Sequence, residues 1–246
     1  MKIAVISGAS TGIGAEFVKE LDKMNYDELW LIARSRNTLD TLALSLKTKA
    51  RLLALDLSKN SAFDEIKGLY EKEKPQIECL VCSAGVGFNG PLESITEQQI
   101  NLTISVNCTA LTLLNRISLP YLKKGSNIIN IASGAGFMPQ PFFSVYAASK
   151  AYVISLSRAL GHELKKRKIS VTAVCPGPVD TGFFSSLENV KKYKKKFLIT
   201  PQKVALGSLK AAKKRKRIYT PTLSMKLVHL ASKILPTSLS LKFYKK

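Results

Sequence analysis

Short apolar runs alternate with longer amphipathic stretches along most of the chain. The apolar runs predict strands at 2–7 (KIAVIS), 28–33 (ELWLIA), 51–57 (RLLALDL), 77–83 (IECLVCS), 127–133 (NIINIAS) and 170–176 (SVTAVCP), with a late, short one at 217–220 (RIYT). Nearly all of their positions are apolar, which is typical of parallel strands that are buried on both faces.

The stretches between these runs have helical periodicity. They predict helices from about Gly12 to Met24, around 38–47, around 61–73, from about Thr96 to Ser118, and one that carries Tyr146 and Lys150. Thr96 and Gln99 have the spacing of a capping box. The regular alternation predicts an α/β fold, a Rossmann-like doubly wound parallel sheet flanked by helices on both faces. Because no repeat or linker interrupts it, residues 1–246 are predicted to form a single domain.

The composition is that of a globular protein with a large core. The chain has 246 residues, of which 46% are hydrophobic, so disorder is not expected. None of its apolar runs is long enough to span a bilayer. The N-terminus enters a strand at once and shows no cleavable signal pattern, which predicts a cytoplasmic protein.

Cys79 and Cys82 form a C-x-x-C pair, the pattern of a redox pair or of half a zinc site. They lie in an apolar, strand-like run, where residues three apart point to opposite faces. No second such pair follows, and both histidines, His162 and His229, are isolated in the sequence. Buried, reduced thiols are therefore the preferred interpretation for all four cysteines, and no metal site is predicted.

The positive charge is concentrated near the C-terminus. The net charge is +21, yet residues 1–180 hold 21 Lys and Arg against 16 Asp and Glu, whereas residues 181–246 hold 17 against Glu188 alone. Such asymmetry indicates an anionic partner for the C-terminal part, either a membrane surface, an anionic substrate or nucleic acid. Nucleic acid is not expected, since no aromatic interleaving or binding motif accompanies the cations.

Residues 221–246 form a basic amphipathic C-terminal extension. Apolar residues fall on one helical stripe, widened at its sides, and Pro236 ends the helix: Leu223, Leu227, Leu230 and Ile234, with Val228, Ala231 and Leu235. Lys226 and Lys233 fall off the stripe. The stripe is suited to packing on the domain's own substrate mouth, on a partner subunit or on an anionic membrane surface. We expect packing on protein, and weak peripheral membrane contact is the competing hypothesis.

A glycine-rich turn follows the first strand. In SGASTGIG, Gly8, Gly12 and Gly14 allow the backbone to turn tightly and to approach a ligand closely. The N–H groups at the start of the next helix suit a pyrophosphate. The spacing differs from the commonest dinucleotide fingerprint, but the position after an N-terminal strand favours nucleotide binding over an ordinary tight turn.

The end of the second strand indicates which dinucleotide is bound. In a doubly wound fold this point faces the adenosine ribose, where an acid would repel a 2′-phosphate. This chain has Arg34 and Ser35 there, and a guanidinium beside a hydroxyl suits a phosphate. NADP(H) is therefore favoured over NAD(H). Two solvated surface arginines, Arg34 and Arg36, are the structural alternative.

The YAASK segment places Tyr146 and Lys150 four residues apart, on one helix face. A free phenol has a pKa of about 10, and a nearby ammonium favours its ionised form. Tyr146 is thus predicted to be a general acid, with its pKa lowered by Lys150. The spacing alone is common in helices.

Taken together, these motifs resemble the short-chain dehydrogenase/reductase family over about residues 1–220. The glycine turn, Asp56 in LDLS, Asn107 in SVNCTA, and Ser133, thirteen residues before Tyr146, match the family in the expected order. The segment PGPVDT (176–181) matches its nicotinamide-binding loop. The resemblance implies cofactor contacts at these residues: Gly8, Ser10, Thr11, Gly12, Ile13, Gly14, Arg34, Ser35, Asp56, Leu57, Ser83, Ala84, Gly85, Asn107, Tyr146, Lys150, Pro176, Gly177, Val179 and Thr181.

The resemblance also implies catalytic roles. Tyr146 would protonate a substrate carbonyl, Ser133 would polarise it, Lys150 would hold the nicotinamide ribose, and Asn107 would fix a water that links Lys150 to solvent. The expected activity is NADPH-dependent reduction of an apolar ketone or aldehyde, or the reverse. The alternative is a non-catalytic NADP(H)-binding or membrane-docking module, which would not need the whole catalytic set.

Two further expectations follow from the resemblance. The family usually has Asn-Ala-Gly where this chain has Ser83-Ala84-Gly85, and we expect cofactor binding to survive this departure. A homo-oligomer, a dimer or tetramer, is expected through helices at about 96–118 and 143–165. The second of these helices has a face of small residues, Ala147, Ala148, Ala151 and Ser155.

Overall fold

Seven parallel strands form one sheet in the computed structural model, which describes residues 1–185, 198–236, 238 and 241. The order across the sheet is β3-β2-β1-β4-β5-β6-β7. The strands are β1 (Lys2–Ser7), β2 (Glu28–Ala33), β3 (Ala50–Ala54), β4 (Gln76–Cys82), β5 (Leu122–Ile131), β6 (Ser170–Val174) and β7 (Ile218–Tyr219). All seven predicted strands exist, and the prediction of a Rossmann-like parallel sheet is confirmed.

The predicted helices are also present, with shifted ends. They are α1 (Gly12–Leu21), α2 (Arg36–Ala43), α3 (Asn60–Glu73), α4 (Glu97–Ile104), α5 (Leu111–Ser118), α6 (Ser144–Glu163), α7 (Gly182–Ser185), α8 (Pro201–Lys213) and α9 (Leu223–Ile234). A π-helical segment, Ser105–Ala110, joins α4 to α5. The predicted capping box is formed, because Thr96 accepts from the Gln99 backbone and the Gln99 side chain accepts from Thr96 N–H.

Strand β5 begins five residues before the predicted start, within a polar stretch that looks like a loop. Gly125 adopts a positive φ of 94°, and its N–H donates to the Lys168 carbonyl at 3.1 Å. The Ser126 hydroxyl donates to the Ile77 carbonyl at 2.7 Å, at a shift in the β4–β5 register. A side-chain hydrogen bond and a glycine thus allow this polar stretch to join the sheet.

Helices cover both faces of the sheet because successive strand residues point to opposite sides. Ile3 and Val5 belong to a buried cluster with α3, α5 and α6, whereas Ala4 and Ile6 belong to a second cluster with α1, α2 and α8. All four cysteines are buried and unpaired. Cys79 and Cys82 fall in different clusters, as the strand periodicity predicts.

The C-terminal helix is formed as predicted, but within the described residues its stripe does not pack on the domain's own substrate mouth. Packing of the stripe on a partner subunit stays a prediction. Leu223, Leu227, Leu230 and Ile234 are each more than half exposed. The helix packs through its other side, where His229 stacks on Phe137 at 4.4 Å between ring centroids. No helix in the described part of the chain is long and apolar enough to cross a bilayer. The basic segment 186–197 and the final lysines lie outside the described residues.

Candidate active site

A cleft of about 440 Å³ opens at the carboxyl ends of the central strands. It lies where the strand order reverses between β1 and β4, the usual ligand position in open parallel sheets. Its volume is in the range of small-molecule sites. Most of the sequence-predicted residues line it: Gly8, Ser10, Thr11, Gly12, Ile13, Arg34, Asp56, Leu57, Ser83, Ala84, Gly85, Ser133, Tyr146, Lys150, Pro176, Gly177, Val179 and Thr181. Gly14, Ser35 and Asn107 do not line it directly.

The glycine-rich turn brings several backbone segments into close contact. Gly8 has a φ of 65°, and a Cβ there would lie 2.7 Å from the Ala84 nitrogen. A Cβ on Gly14 would overlap the Gly8 carbonyl oxygen, so only glycine allows the two segments of the turn to pack this closely. Thr11, the N-cap of α1, makes no side-chain capping bond within the described chain. The N–H groups of the first helical turn are therefore suited to an anionic ligand.

The end of the cleft beside β2 and β3, where an adenosine is expected, is polar. The Asp56 carboxylate accepts from the Ser58 N–H at 2.9 Å and from the Ser58 hydroxyl at 2.8 Å. The backbone bond, the hydroxyl bond and the nearby Arg34 charge lower the pKa of Asp56 despite its partial burial. Ser35 does not face the cleft, because its hydroxyl caps α2 by accepting from the Thr38 N–H. Of the two side chains predicted to bind the 2′-phosphate, Arg34 and Ser35, only Arg34 therefore lines the cleft.

Asn107 lies in the π-helical segment and is fully buried. Its Oδ1 accepts from the Val86 N–H at 2.9 Å, and its Nδ2 donates to the Val86 carbonyl and to the Ser149 hydroxyl. The amide therefore holds the loop after β4 against α6. A Cβ on Gly85 would lie 3.3 Å from both Asn107 Oδ1 and Lys150 Nζ, so these two groups converge on the same point.

Tyr146, Ser133 and Lys150 meet at the other end of the cleft. The Lys150 ammonium donates to the Ile131 carbonyl at 2.9 Å and lies 5.6 Å from the centroid of the Tyr146 ring. Burial raises the pKa of the Tyr146 phenol to about 12, against the opposing effect of its hydrogen bond with Ser133. Burial lowers the pKa of Lys150 to about 8.

The expectation that Lys150 lowers the pKa of Tyr146 is therefore wrong for this structure. Burial of the phenol outweighs its hydrogen bond with Ser133, and the net effect on the pKa of Tyr146 is a rise. The phenol stays protonated throughout the neutral range. The phenol therefore holds the proton that a reduction needs, although its raised pKa makes it a weaker acid than free tyrosine, whereas accepting a proton would first require its ionisation.

Apolar groups surround the Tyr146 ring. Phe143 stacks on it at 4.3 Å between centroids, Phe183 lies at 5.5 Å, and a Cβ on Gly87 would lie only 2.6 Å from Tyr146 Cδ2. These residues escaped the sequence analysis because no motif marks them. Only their place in the chain indicates that they belong to the site, since they lie in the segments that follow β4, β5 and β6. The arrangement encloses the phenol in an apolar environment.

The fold and this cleft define a dinucleotide-dependent oxidoreductase of the Rossmann type. Residues 2–192 match the family model described as short chain dehydrogenase. The chain belongs to the short-chain dehydrogenase/reductase family, and its cofactor class is the nicotinamide dinucleotides.

Individual relatives agree with this assignment. The chain is 32% identical over 182 residues to an uncharacterized oxidoreductase of Staphylococcus epidermidis, covering 73% of this chain and 79% of the relative. It is 33% identical over 186 residues to very-long-chain 3-oxoacyl-CoA reductase-A of Danio rerio, covering 71% of this chain and 57% of the relative. The chain thus spans little more than half of that reductase.

A solved structure covers the whole chain. The short-chain dehydrogenase from Sphingobium yanoikuyae in complex with NADPH superposes with a TM-score of 0.82 at 25% identity. The match covers 100% of this chain and 97% of that protein.

Proposed function

We propose that this chain reduces an apolar ketone or aldehyde to an alcohol, with NADPH as the hydride donor. The observation that carries the proposal is the meeting of Ser133, the buried Tyr146 and Lys150, one helical turn from Tyr146, in one cleft. This is the set that a carbonyl reduction needs, a proton donor, a polarising hydroxyl and a cation.

The side chains would act as follows. The bound cofactor supplies a hydride to the carbonyl carbon. Tyr146 donates its phenolic proton to the carbonyl oxygen as negative charge develops there, and Ser133 donates a hydrogen bond to the same oxygen. Lys150 stabilises the phenolate that remains until a solvent proton restores the phenol. Asn107 acts as a positioning residue, since its amide holds Val86 and Ser149.

The cleft fits a phosphorylated dinucleotide. The start of α1 would bind the pyrophosphate, and Arg34, which lines the same cleft, would lie beside the 2′-phosphate of the ribose. Gly14 would support the turn and Ser35 caps α2, whereas the other predicted residues, apart from Asn107, would contact the bound dinucleotide. Lys150 would hold the nicotinamide ribose. The NADPH complex of the Sphingobium relative supports this assignment.

An apolar substrate suits the aromatic wall around Tyr146. Phe143 and Phe183 offer rings rather than hydrogen-bonding groups to whatever lies beside the phenol. The Danio rerio relative is by name a reductase of very-long-chain 3-oxoacyl-CoA, which is a ketone with a long apolar chain. We therefore place the substrate among ketones and aldehydes that carry a sizeable apolar group.

A carbonyl panel tests the proposal. Purified protein is incubated with NADPH and a series of ketones and aldehydes of increasing apolar length, and cofactor oxidation is followed by absorbance. Turnover that rises with apolar size is expected. If no carbonyl is reduced while NADPH binds, the chain is a cofactor-binding module and the proposed activity is wrong.

Arg34 is expected to determine the preference for NADPH over NADH. Arg34→Ala removes a charged partner of the 2′-phosphate, so NADPH affinity should fall roughly tenfold to a hundredfold. NADH affinity should change little. Arg36→Ala is the matched control, because the Arg36 guanidinium pairs with Asp40 at 2.9 Å on the α2 surface. Equal losses for both cofactors on titration of the Arg34 variant would contradict the assignment.

We also propose a homo-oligomer built on α4, α5 and α6. On α6, Ala148, Ala151 and Ser155 are exposed, whereas Ala147 is buried within the subunit. Small exposed side chains allow a second helix to approach closely. A dimeric or larger mass by light scattering at micromolar concentration is expected, and a monomeric mass would contradict this proposal.

A further inference from the structure

Helix α9 has two apolar faces, and within the described part of the chain only one is covered. On the covered face, Met225 lies against the site wall, where its sulfur would be 2.6 Å from a Cβ on Gly134 and 3.3 Å from one on Gly177. The opposite face carries what we call the leucine stripe, four side chains that are 71%, 60%, 56% and 72% exposed: Leu223, Leu227, Leu230 and Ile234.

The leucine stripe is a continuous surface rather than a set of unrelated exposed residues. At the angular step of an α-helix, its four side chains fall within an arc of about 60°. Single exposed leucines are ordinary, and Leu44 is one example, at 89%. A contiguous apolar face on a helix that is already packed on its other side indicates a further partner.

The charge around the stripe identifies the kind of partner. Residues 198–236 carry nine Lys and Arg and no Asp or Glu. Lys226 and Lys233 are exposed along one edge of the stripe. An antiparallel two-fold dimer through the stripe would bring these lysines towards their own copies, and a dimer in either orientation would offer no carboxylate from this segment to pair with them. An anionic lipid surface accepts both the leucines and the lysines.

We infer that α9 is an interfacial helix that places the leucine stripe in the surface of a bilayer with anionic headgroups. The leucines enter the boundary between headgroups and acyl chains, while Lys226 and Lys233 extend towards lipid phosphates. The covered face of the same helix packs against Gly134 and against Gly177, which lines the cleft, so docking brings the cleft close to the membrane. This inference does not depend on the proposed reaction.

A second cationic surface would also attract anionic vesicles, so the test must distinguish its effect from that of the leucine stripe. We call it the basic edge, eleven Lys and Arg at the start of β5 and in the segments that precede β6 and β7, where parallel strands start side by side: 123–124, 165–168 and 213–217. This edge is opposite the cleft. It would attract an anionic surface by charge alone, without inserting apolar side chains.

The test is flotation of the full-length protein with vesicles at low salt. Vesicles of phosphatidylcholine with phosphatidylglycerol are compared with pure phosphatidylcholine. Wild type should float with the anionic vesicles only, and added salt should weaken the binding. The double variant Leu227→Glu with Leu230→Glu should bind at least about tenfold more weakly, since it loses two inserted side chains. Leu44→Glu, the same change at an exposed leucine on another element, should bind like wild type.

Folding of the double variant is checked by the fluorescence change on NADPH binding, which it should retain because both leucines are exposed.

A second variant, Lys226→Glu with Lys233→Glu, tests the contribution of the lysines and should bind anionic vesicles at least about twenty-fivefold more weakly than wild type. The inference is overturned if wild type ignores anionic vesicles. It is also overturned if Lys165→Ala with Lys166→Ala abolishes binding while the leucine variant does not. A halved mass of the leucine variant, with no vesicle binding by wild type, would identify the stripe as an interface between copies.

Discussion

Tyr146→Phe is expected to lower carbonyl reduction by about 100-fold or more while NADPH still binds. The change removes the transferable proton and leaves the ring, so the stacking on Phe143 at 4.3 Å is kept and the fold should persist. Steady-state rates with the best carbonyl of the panel give the effect on turnover. Fluorescence titration with NADPH measures the cofactor affinity separately.

Tyr152→Phe is the matched control for this substitution. Tyr152 lies on the same helix and is 42% exposed, and its hydroxyl contacts Thr112 at 2.8 Å rather than the cleft. We expect near wild-type turnover for this variant. A Tyr146→Phe enzyme that keeps more than about a tenth of the wild-type rate would rule out the general-acid role, because proton transfer normally contributes more than that.

Lys150→Met should damage turnover and cofactor affinity together. Methionine keeps much of the buried volume but removes the ammonium, so NADPH affinity should fall roughly tenfold to a hundredfold. The pH dependence of NADPH affinity gives a second test of the role of Lys150. Because the pKa of Lys150 is lowered to about 8, the wild-type ammonium is charged below that pH and loses its charge above it. NADPH affinity of wild type should therefore weaken as pH rises through about 8.

The position 150 variants should lack that transition. Lys150→Met has no group to titrate, and Lys150→Arg stays charged at all relevant pH values. Titrations of NADPH between pH 6 and 9.5 compare the three proteins. A wild-type transition that persists in Lys150→Met would show that another group causes it, and the role assigned to Lys150 would then be wrong.

The fold was largely predictable because parallel strands leave a strong signal. Continuous apolar runs such as ELWLIA are typical of buried parallel strands, and here the predicted and observed bounds of β2 coincide. The start of β5 was not predictable in the same way. It depends on the backbone at Gly125 and on a hydroxyl bond from Ser126, which involve partners distant in sequence.

The cleft was predictable as a set of residues but not as an electrostatic environment. Eighteen of the proposed site residues line it, because motifs at strand ends mark where chemistry is placed. Spacing alone suggested a lowered phenol pKa at Tyr146. The observed direction depends on how completely the ring is buried, which Phe143 and Phe183 decide and no motif reveals.

Helix α9 shows a different limit. Its periodicity revealed one apolar stripe, and the natural interpretation was that this stripe is the buried one. The chain instead uses Met225 and His229 for packing, because glycines at 134 and 177 leave room for a side chain there. A sequence pattern locates an apolar face without specifying what covers it.

The position of Met225 has a thermodynamic consequence. Its side chain occupies the space over Gly134 and Gly177, and the Gly134 N–H donates to the Pro176 carbonyl at 2.8 Å, so α9 bears on two loops of the cleft at once. If an external surface shifts the equilibrium position of α9, it changes the free energy of ligand binding inside. Linkage then requires the ligand to change the affinity of α9 for that surface by the same factor. Saturating NADPH should thus change the affinity of the protein for vesicles by some factor. Saturating vesicles should change the affinity of the protein for NADPH by the same factor.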